Sequence, residues 1–312
     1  MKIKKKCAYS IIAVIIILAA ALVYYNNFAK KSAATGKNGG KIPWSVDKNG
    51  YLYYPLERGE ISFKRTNYSE TKHLFISKVV YPSTRGNIYG LLVLPKSVSH
   101  QIPGVVLLPG AGVSKESELK LAENISELGM AVLTIDQRGV GETDGAFPSL
   151  DEDYANFLQS KEPYQHLMVY DALMGFDLLY SARFVDPNNI IIAGESLGGR
   201  VAIIAAAIDK NVKGVLVISS AGFDFAGGPD AKKNMFVKSV DSDHYIDLIA
   251  PRKLVMIHNL NDKTISINSA VNSYSKAQQP KRFVYVNDTA CNHGYCDSMY
   301  DGLVEGLNYL IS

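Results

Sequence analysis

Ile190-Ile191-Ile192-Ala193-Gly194-Glu195-Ser196-Leu197-Gly198-Gly199 is the stretch on which the reading of this 312-residue chain turns. An unbroken aliphatic run of strand type meets Gly-Glu-Ser-Leu-Gly, and a small-residue segment of helical character, residues 201–207, follows at once. A serine at so sharp a strand-to-helix turn has its hydroxyl lifted clear of the sheet. The turn leaves room only for small residues two before and two after the serine, and both are glycine, Gly194 and Gly198. The serine also stands at a helix N-terminus, where free backbone N–H groups favour a developing negative charge. The strand before and the helix after separate this pattern from a chance Gly-x-Ser-x-Gly.

Outward from the elbow, strand and helix alternate. Upstream, residues 73–82 and 87–94 read as strands around the turn Ser83-Thr84-Arg85-Gly86, and residues 104–108 as a buried strand ending at Pro109-Gly110-Ala111-Gly112. Leu119, Leu121, Ile125 and Leu128 recur at helical spacing over 116–128, and Gly129 closes that helix. Residues 131–135 are the next strand; 144–163 are loop-like with room for a short helix, and 164–182 form a longer amphipathic helix. Beyond the elbow come strands at 212–219, 253–259 and 282–286, helices at 266–278 and 297–311, and an irregular insert at 222–250. Continuous apolar strands alternating with helices predict an α/β fold, a mostly parallel sheet covered on both faces. The insert is short, so any lid is small. Tyr154, Phe157, Phe223, Phe225 and Tyr245 are candidates to line the cleft.

A serine hydroxyl becomes a nucleophile when a base accepts its proton, usually a histidine oriented by a carboxylate. With an elbow of this kind the chain order is Ser, then Asp or Glu, then His. Three histidines follow Ser196: His244 in the insert, His258 inside a strand, and His293 in a loop after the last strand. The base must reach the C-terminal edge of the sheet, which selects His293 and leaves His258 as a core residue. Asp262, just past the strand that ends near Asn259, is the expected carboxylate; Asp288, past the last strand, is its rival. The oxyanion donors are the N–H of Leu197 and one from the loop 110–112, with Ala111 the candidate.

The chain resembles the α/β-hydrolase superfamily and is similar to its prolyl-oligopeptidase-like, dienelactone-hydrolase-like and acetyl-esterase-like branches. The resemblance covers residues 70–312 and rests on the stretches Asp136 to Thr143, Val185-Asp186-Pro187-Asn188 and Gly194 to Gly199, on Asp262, and on His293-Gly294. It implies that the Asp136 to Thr143 stretch shapes the floor near the site without acting in catalysis. Pro109 stands where the family often carries the histidine of a His-Gly pair. No β-propeller precedes the domain, which weighs against a gated oligopeptidase.

Cys291 and Cys296 flank His293 and are placed to pair in an exported protein, restraining the base. Two cysteines and a histidine already assigned do not make a zinc site. No metal or organic cofactor is implied.

Charge is unevenly placed. Residues 1–41 hold eight lysines and no acids, so the rest carries 25 basic and 30 acidic residues. That balance argues against a nucleic-acid surface. Lys2, Lys4, Lys5 and Lys6 precede an uncharged run from Cys7 to Phe28, long enough to span a bilayer, with more positive charge before it than just after. The organisation expected is a membrane anchor or signal peptide over 1–28, a Gly- and Lys-rich linker over 29–41, and a catalytic domain over 42–312. The anchor reading places the catalytic domain outside the cytoplasm at the cell membrane; cleavage near Ala19-Ala20-Ala21 would release it. The function expected is a serine hydrolase, foremost a carboxylic-ester hydrolase acting on a small-molecule or polymer-end acyl substrate. Peptidase, acyltransferase and a non-catalytic binding protein on the same scaffold are the alternatives.

Overall fold

The apolar runs at 104–108, 131–135, 190–194, 214–218 and 254–257 become strands buried on both faces. The computed structural model describes residues 43–98 and 100–312. Trp44–Tyr54 and Glu60–Ser312 make up the unit that carries the sheet, and Pro55–Gly59 falls outside it. Strands β1 (Ser45–Val46) and β2 (Leu52–Tyr53) pair as a small antiparallel ribbon. The main sheet contains β3 (Lys64–Glu70), β4 (Leu74–Ser83), β5 (Gly86–Pro95), β6 (Ile102–Leu108), β7 (Ala131–Ile135), β8 (Val185–Glu195), β9 (Gly214–Ile218), β10 (Lys253–Asn259) and β11 (Lys281–Val286). Its order is β11-β10-β9-β8-β6-β7-β5-β4-β3. From β7 through β11 the pairings are parallel, and β3, β4 and β5 add an antiparallel meander at one edge.

Among the described residues seven α-helices connect or cover the strands: α1 (Leu119–Glu127), α2 (Leu150–Leu158), α3 (Tyr164–Ser181), α4 (Leu197–Ile208), α5 (Ala231–Val240), α6 (Ile267–Lys276) and α7 (Tyr300–Ile311). Leu121 and Ile125 of α1 and Leu303, Leu307 and Leu310 of α7 share one core with Val105, Leu107, Ile191, Leu216 and Val255 of the sheet. The burial of each such side chain contributes about 1.5–3 kcal/mol. On the other face α3 and α4 pack against each other and against β8. After β6 the chain goes to β7 on one side, then to β8 on the other. The loops after β6 and β8 therefore part at a crevice on the C-terminal edge of the sheet, the usual place for a ligand in an open α/β sheet.

The structure departs from the sequence reading in three places. β3 was not expected, because its seven residues, Lys-Arg-Thr-Asn-Tyr-Ser-Glu, are polar and exposed. It is an edge strand protected by charge rather than a buried one. The elbow strand begins at Val185 and takes in Asp186-Pro187-Asn188-Asn189 beside a register shift in β6. The insert at 222–250, expected to be irregular, contains α5, N-capped by Asp230, and two short 3-10 turns. The short helix allowed within 144–163 is α2, whose capping box joins Ser149 and Glu152. The anchor and linker lie outside the described residues, among which no helix is long and apolar enough to cross a membrane.

Candidate active site

Ser196 sits between β8 and α4 at φ 49° and ψ −116°. Non-glycine residues rarely adopt this region, and such strain persists only where the surroundings enforce it. Here Ser196 N–H donates to Ile218 O at 3.0 Å, and the Ser220 hydroxyl donates to Ser196 O at 2.6 Å. The glycines on either side are a steric requirement. A Cβ on Gly194 would lie 2.3 Å from the Gly198 carbonyl carbon, and one on Gly198 would lie 2.1 Å from Leu108 O.

The loop after β6 runs against the serine, since a Cβ on Gly110 would lie 3.6 Å from Ser196 Cβ. Gln137 Nε2 donates to Pro109 O at 2.6 Å, Val113 N–H closes the turn onto Gly110 O at 3.2 Å, and Gly110 N–H donates to the Glu118 carboxyl. Ala111 follows Gly110 in this turn, and Leu197 opens α4. Neither amide donates to another group among the described residues.

His293 and Asp262 are brought together. His293 Nδ1 lies 2.8 Å from Asp262 Oδ2 and 3.0 Å from Oδ1. Burial pushes the Asp262 carboxyl up. Hydrogen bonds from Ile265 N–H, the His293 ring and Thr264 N–H outweigh it and hold the group below the usual carboxylate range. The rival Asp288 instead accepts Ala290 N–H at 2.8 Å, a turn contact within its own loop. His244 stacks on Tyr51, with ring centroids 4.1 Å apart. His258 is fully buried, as expected, and its Nε2 lies 2.9 Å from Ile265 O; the same Ile265 donates to Asp262 at 2.8 Å. Burial pushes the His258 imidazole down, against the Ile265 carbonyl and Asp262, which favour its charged form.

The loop bearing His293 is tied to the elbow by side chains that motif reading did not select. Glu195 Oε1 accepts Tyr295 N–H at 2.9 Å, and the Ser219 hydroxyl donates to Gly294 O at 3.1 Å. Asn259 Nδ2 donates to Cys291 O at 2.6 Å and Asp288 O at 2.8 Å. Cys291 and Cys296 form a disulfide, with Cα atoms 5.9 Å apart. No hydrogen bond joins Ser196 Oγ to His293 among the described residues; in hydrolases that bond often tightens only around the substrate. Behind the elbow, Glu118 is buried with Oε1 unpartnered. Desolvation, then the nearby Glu195 carboxylate, raises its pKa; desolvation also raises that of Glu195. Glu195 had a sequence signal, being the residue before Ser196 in the elbow pattern. Glu118 had none.

Asp136 accepts Lys115 N–H at 2.8 Å and Glu142 N–H at 2.9 Å, and meets Lys115 Nζ at 2.8 Å. These bonds anchor the start of the Asp136 to Thr143 stretch to Lys115 and Glu142. Of the aromatic candidates, Phe157 and Tyr154 pack on Phe236, and buried Tyr245 accepts Leu52 N–H at 2.7 Å. Among the described residues no cluster of His, Cys, Asp and Glu is arranged to hold a metal.

The strand order, the elbow at the switch point and the His–Asp pair on the last two loops define an α/β-hydrolase. The chain belongs to the acetyl xylan esterase (AXE1) family, whose model matches residues 58–226. It is 28% identical over 186 residues to acetyl esterase Axe7A of Xylanibacter ruminicola, covering 53% of this chain and 42% of that protein. It is 27% identical over 136 residues to polyketide transferase grgF of a Penicillium species, covering 43% of this chain and 42% of the relative. The chain spans between 34% and 59% of the length of these and similar curated relatives. An acetyl xylan esterase from Paenibacillus sp. R4 superposes with a TM-score of 0.67 at 20% identity, over 81% of this chain and 90% of that one.

Proposed function

We propose that this chain is a serine carboxylic-ester hydrolase that removes small acyl groups, acetyl foremost, from a carbohydrate or other alcohol. The observation that carries the reading is the His293–Asp262 pair, 2.8 Å apart, with the His293 loop clamped to the residue before Ser196. Membership of the acetyl xylan esterase family supports an ester substrate and an acetyl group.

In this mechanism Ser196 Oγ attacks the acyl carbon while His293 Nε2 takes its proton. Asp262 holds the imidazole by Nδ1–H and stabilises the imidazolium. The oxyanion lies against the amides of Leu197 and Ala111. The tetrahedral intermediate collapses, the C–O bond to the alcohol breaks, and His293 returns the proton to the leaving oxygen. Water, deprotonated by His293, then adds to the acyl-enzyme and releases the acid and free Ser196. The likeness to a polyketide transferase favours a second reading, in which an alcohol replaces that water.

The test treats the full chain with a fluorophosphonate probe and assays p-nitrophenyl acetate and octanoate, with Ser196→Ala and His293→Ala alongside. Labelling lost in both variants, and acetate turnover lowered by about 10⁴-fold or more, is the expected result. A folded wild-type protein that is neither labelled nor active overturns the reading. Labelling with turnover only when an acceptor alcohol is added selects the transferase.

A further inference from the structure

Arg200 stands one helical turn past Ser196 on α4, and its N–H donates to Ser196 O at 3.3 Å. Ser196 is the N-cap, so Arg200 lies in the first turn of α4, where side chains lean back toward the helix N-terminus. The guanidinium carbon lies 4.5 Å from the ring centroid of Phe223. Phe223 belongs to the segment after β9, and the end of β9 pairs with the elbow strand, Ile218 beside Glu195. Its backbone is fixed by a 2.9 Å bond from its N–H to Asp241 Oδ1. Arg200 is therefore held at the N-terminal turn of α4 against the segment that follows β9, at the C-terminal edge of the sheet where the elbow lies.

Its hydrogen bonds set it apart from the other enclosed arginines. Arg138 forms a two-pronged pair with Asp171, at 2.6 and 2.7 Å. Arg252 donates to the carbonyls of Ala206, Asp209, Val212, Leu248 and Ile249. The Arg200 guanidinium donates to no acceptor among the described residues, although it has five N–H groups. Asp241 attracts it from a distance without forming an ion pair, and that carboxylate already accepts the N–H groups of Phe223 and Asp243. Stacking on a ring occupies a face of the guanidinium and leaves the in-plane fork free, the geometry that grips a carboxylate with two bonds. A half-enclosed guanidinium whose N–H groups meet no acceptor among the described residues keeps them open to an incoming anion.

We propose that Arg200 is the carboxylate-binding residue of the substrate cleft: the preferred ester bears a carboxylate about one helical turn from its scissile carbonyl. The proposal rests on the ester-hydrolase reading and narrows its substrate class from neutral to anionic esters. The carboxylate lies on the acyl side, as in a dicarboxylic half-ester, or on the alcohol side, as in an acylated sugar or phenolic acid.

Two matched pairs test it on the full chain. On the acyl side, monomethyl succinate is compared with methyl succinamate; on the alcohol side, 4-acetoxybenzoate is compared with 4-acetoxybenzamide. The readout is the ratio of kcat/KM for the carboxylate over its amide. The wild-type ratio exceeds one in one pair and falls as ionic strength rises. Arg200→Gln lowers that ratio about 10–100-fold, as losing a two-pronged charged contact predicts, and Arg200→Lys, which keeps charge without the fork, lowers it less. The salt dependence of the wild type carries the test if Arg200→Gln does not fold. Amide-ester turnover with ratios at or below one in both pairs, insensitive to salt and to Arg200→Gln, overturns this proposal alone. No turnover of either neutral ester and no fluorophosphonate labelling overturns the hydrolase reading, and the proposal with it.

Discussion

Asp262 and Asp288 both follow strands at the edge of the sheet that carries Ser196, and their partners separate them. The His293 ring lies 2.8 Å from Asp262, whereas Asp288 bonds a backbone amide of its own turn. Asp262→Asn leaves the imidazole without its orienting acceptor and is expected to lower kcat about 10⁴-fold with the fold intact by circular dichroism. Asp288→Asn is expected to change kcat less than about threefold, because its carboxylate bonds Ser298 and amides of its own loop rather than His293. Equal losses in the two variants would move the orienting role off Asp262. The meeting of His293 with Asp262 was legible because few histidines and acids follow the elbow in the chain order that goes with it. The Glu118–Glu195 neighbourhood was not, since two carboxyls far apart in sequence meet only through tertiary burial. It has a consequence for pH. Both carboxyls have pKa values raised by burial, so the native state retains protons that the unfolded chain releases above its ordinary carboxyl pKa. Their contribution to stability is present below that value and is lost as pH rises through the raised ones. Glu118→Gln removes the ionisation while keeping an acceptor for Gly110. Its Tm relative to wild type is expected to rise from pH 5 to pH 9 by about 2–4 °C or more, the shift given by about 1 kcal/mol in a domain of this size. A constant difference across that range would show Glu118 unperturbed.

At the scale of elements, the segment between β11 and α7 is short and irregular, yet it must hold His293 steady. Four restraints converge on it: the Glu195 and Ser219 contacts, Asn259, and the Cys291–Cys296 bond. The cysteine spacing made the bond legible in advance, and the Gly-x-Ser-x-Gly pattern made the elbow so, because both are contacts between near neighbours in sequence. The edge strand β3 and the helix α5 escaped the reading. Neither carries an apolar stripe strong enough to set its period, and each is specified by what it docks on. Closing a loop of about six residues removes unfolded-chain entropy worth about 2 kcal/mol. Replacing both cysteines by serine is therefore expected to lower Tm by roughly 4–8 °C. It is also expected to lower kcat more than it raises KM, because the base rather than the binding cleft loosens. A fall confined to Tm, with kcat unchanged, would mean that Glu195, Ser219 and Asn259 suffice to place His293.

For the whole molecule, alternation of strand and helix was enough to foresee the parallel half of the sheet and the edge at which the site lies. The antiparallel meander of β3 to β5 adds width on the side away from the His293 loop. The charge pattern bears on location. All eight lysines of residues 1–41 flank or follow an uncharged run of bilayer length, while acids outnumber bases in the remainder, 30 to 25. An anionic catalytic unit has little electrostatic affinity for an anionic leaflet, so membrane association, which we propose, depends on the apolar run itself. In a bacterial host the full chain is expected to sediment with membranes and resist carbonate extraction, and protease added to intact spheroplasts should shed the catalytic domain. Deleting residues 2–28 should abolish sedimentation without lowering the fluorophosphonate labelling of Ser196. A product recovered in the medium that begins near residue 21 would instead establish a cleaved signal peptide. A full chain recovered in the cytoplasm and protected from external protease would overturn export altogether, and with it the oxidising surroundings in which a disulfide beside His293 persists.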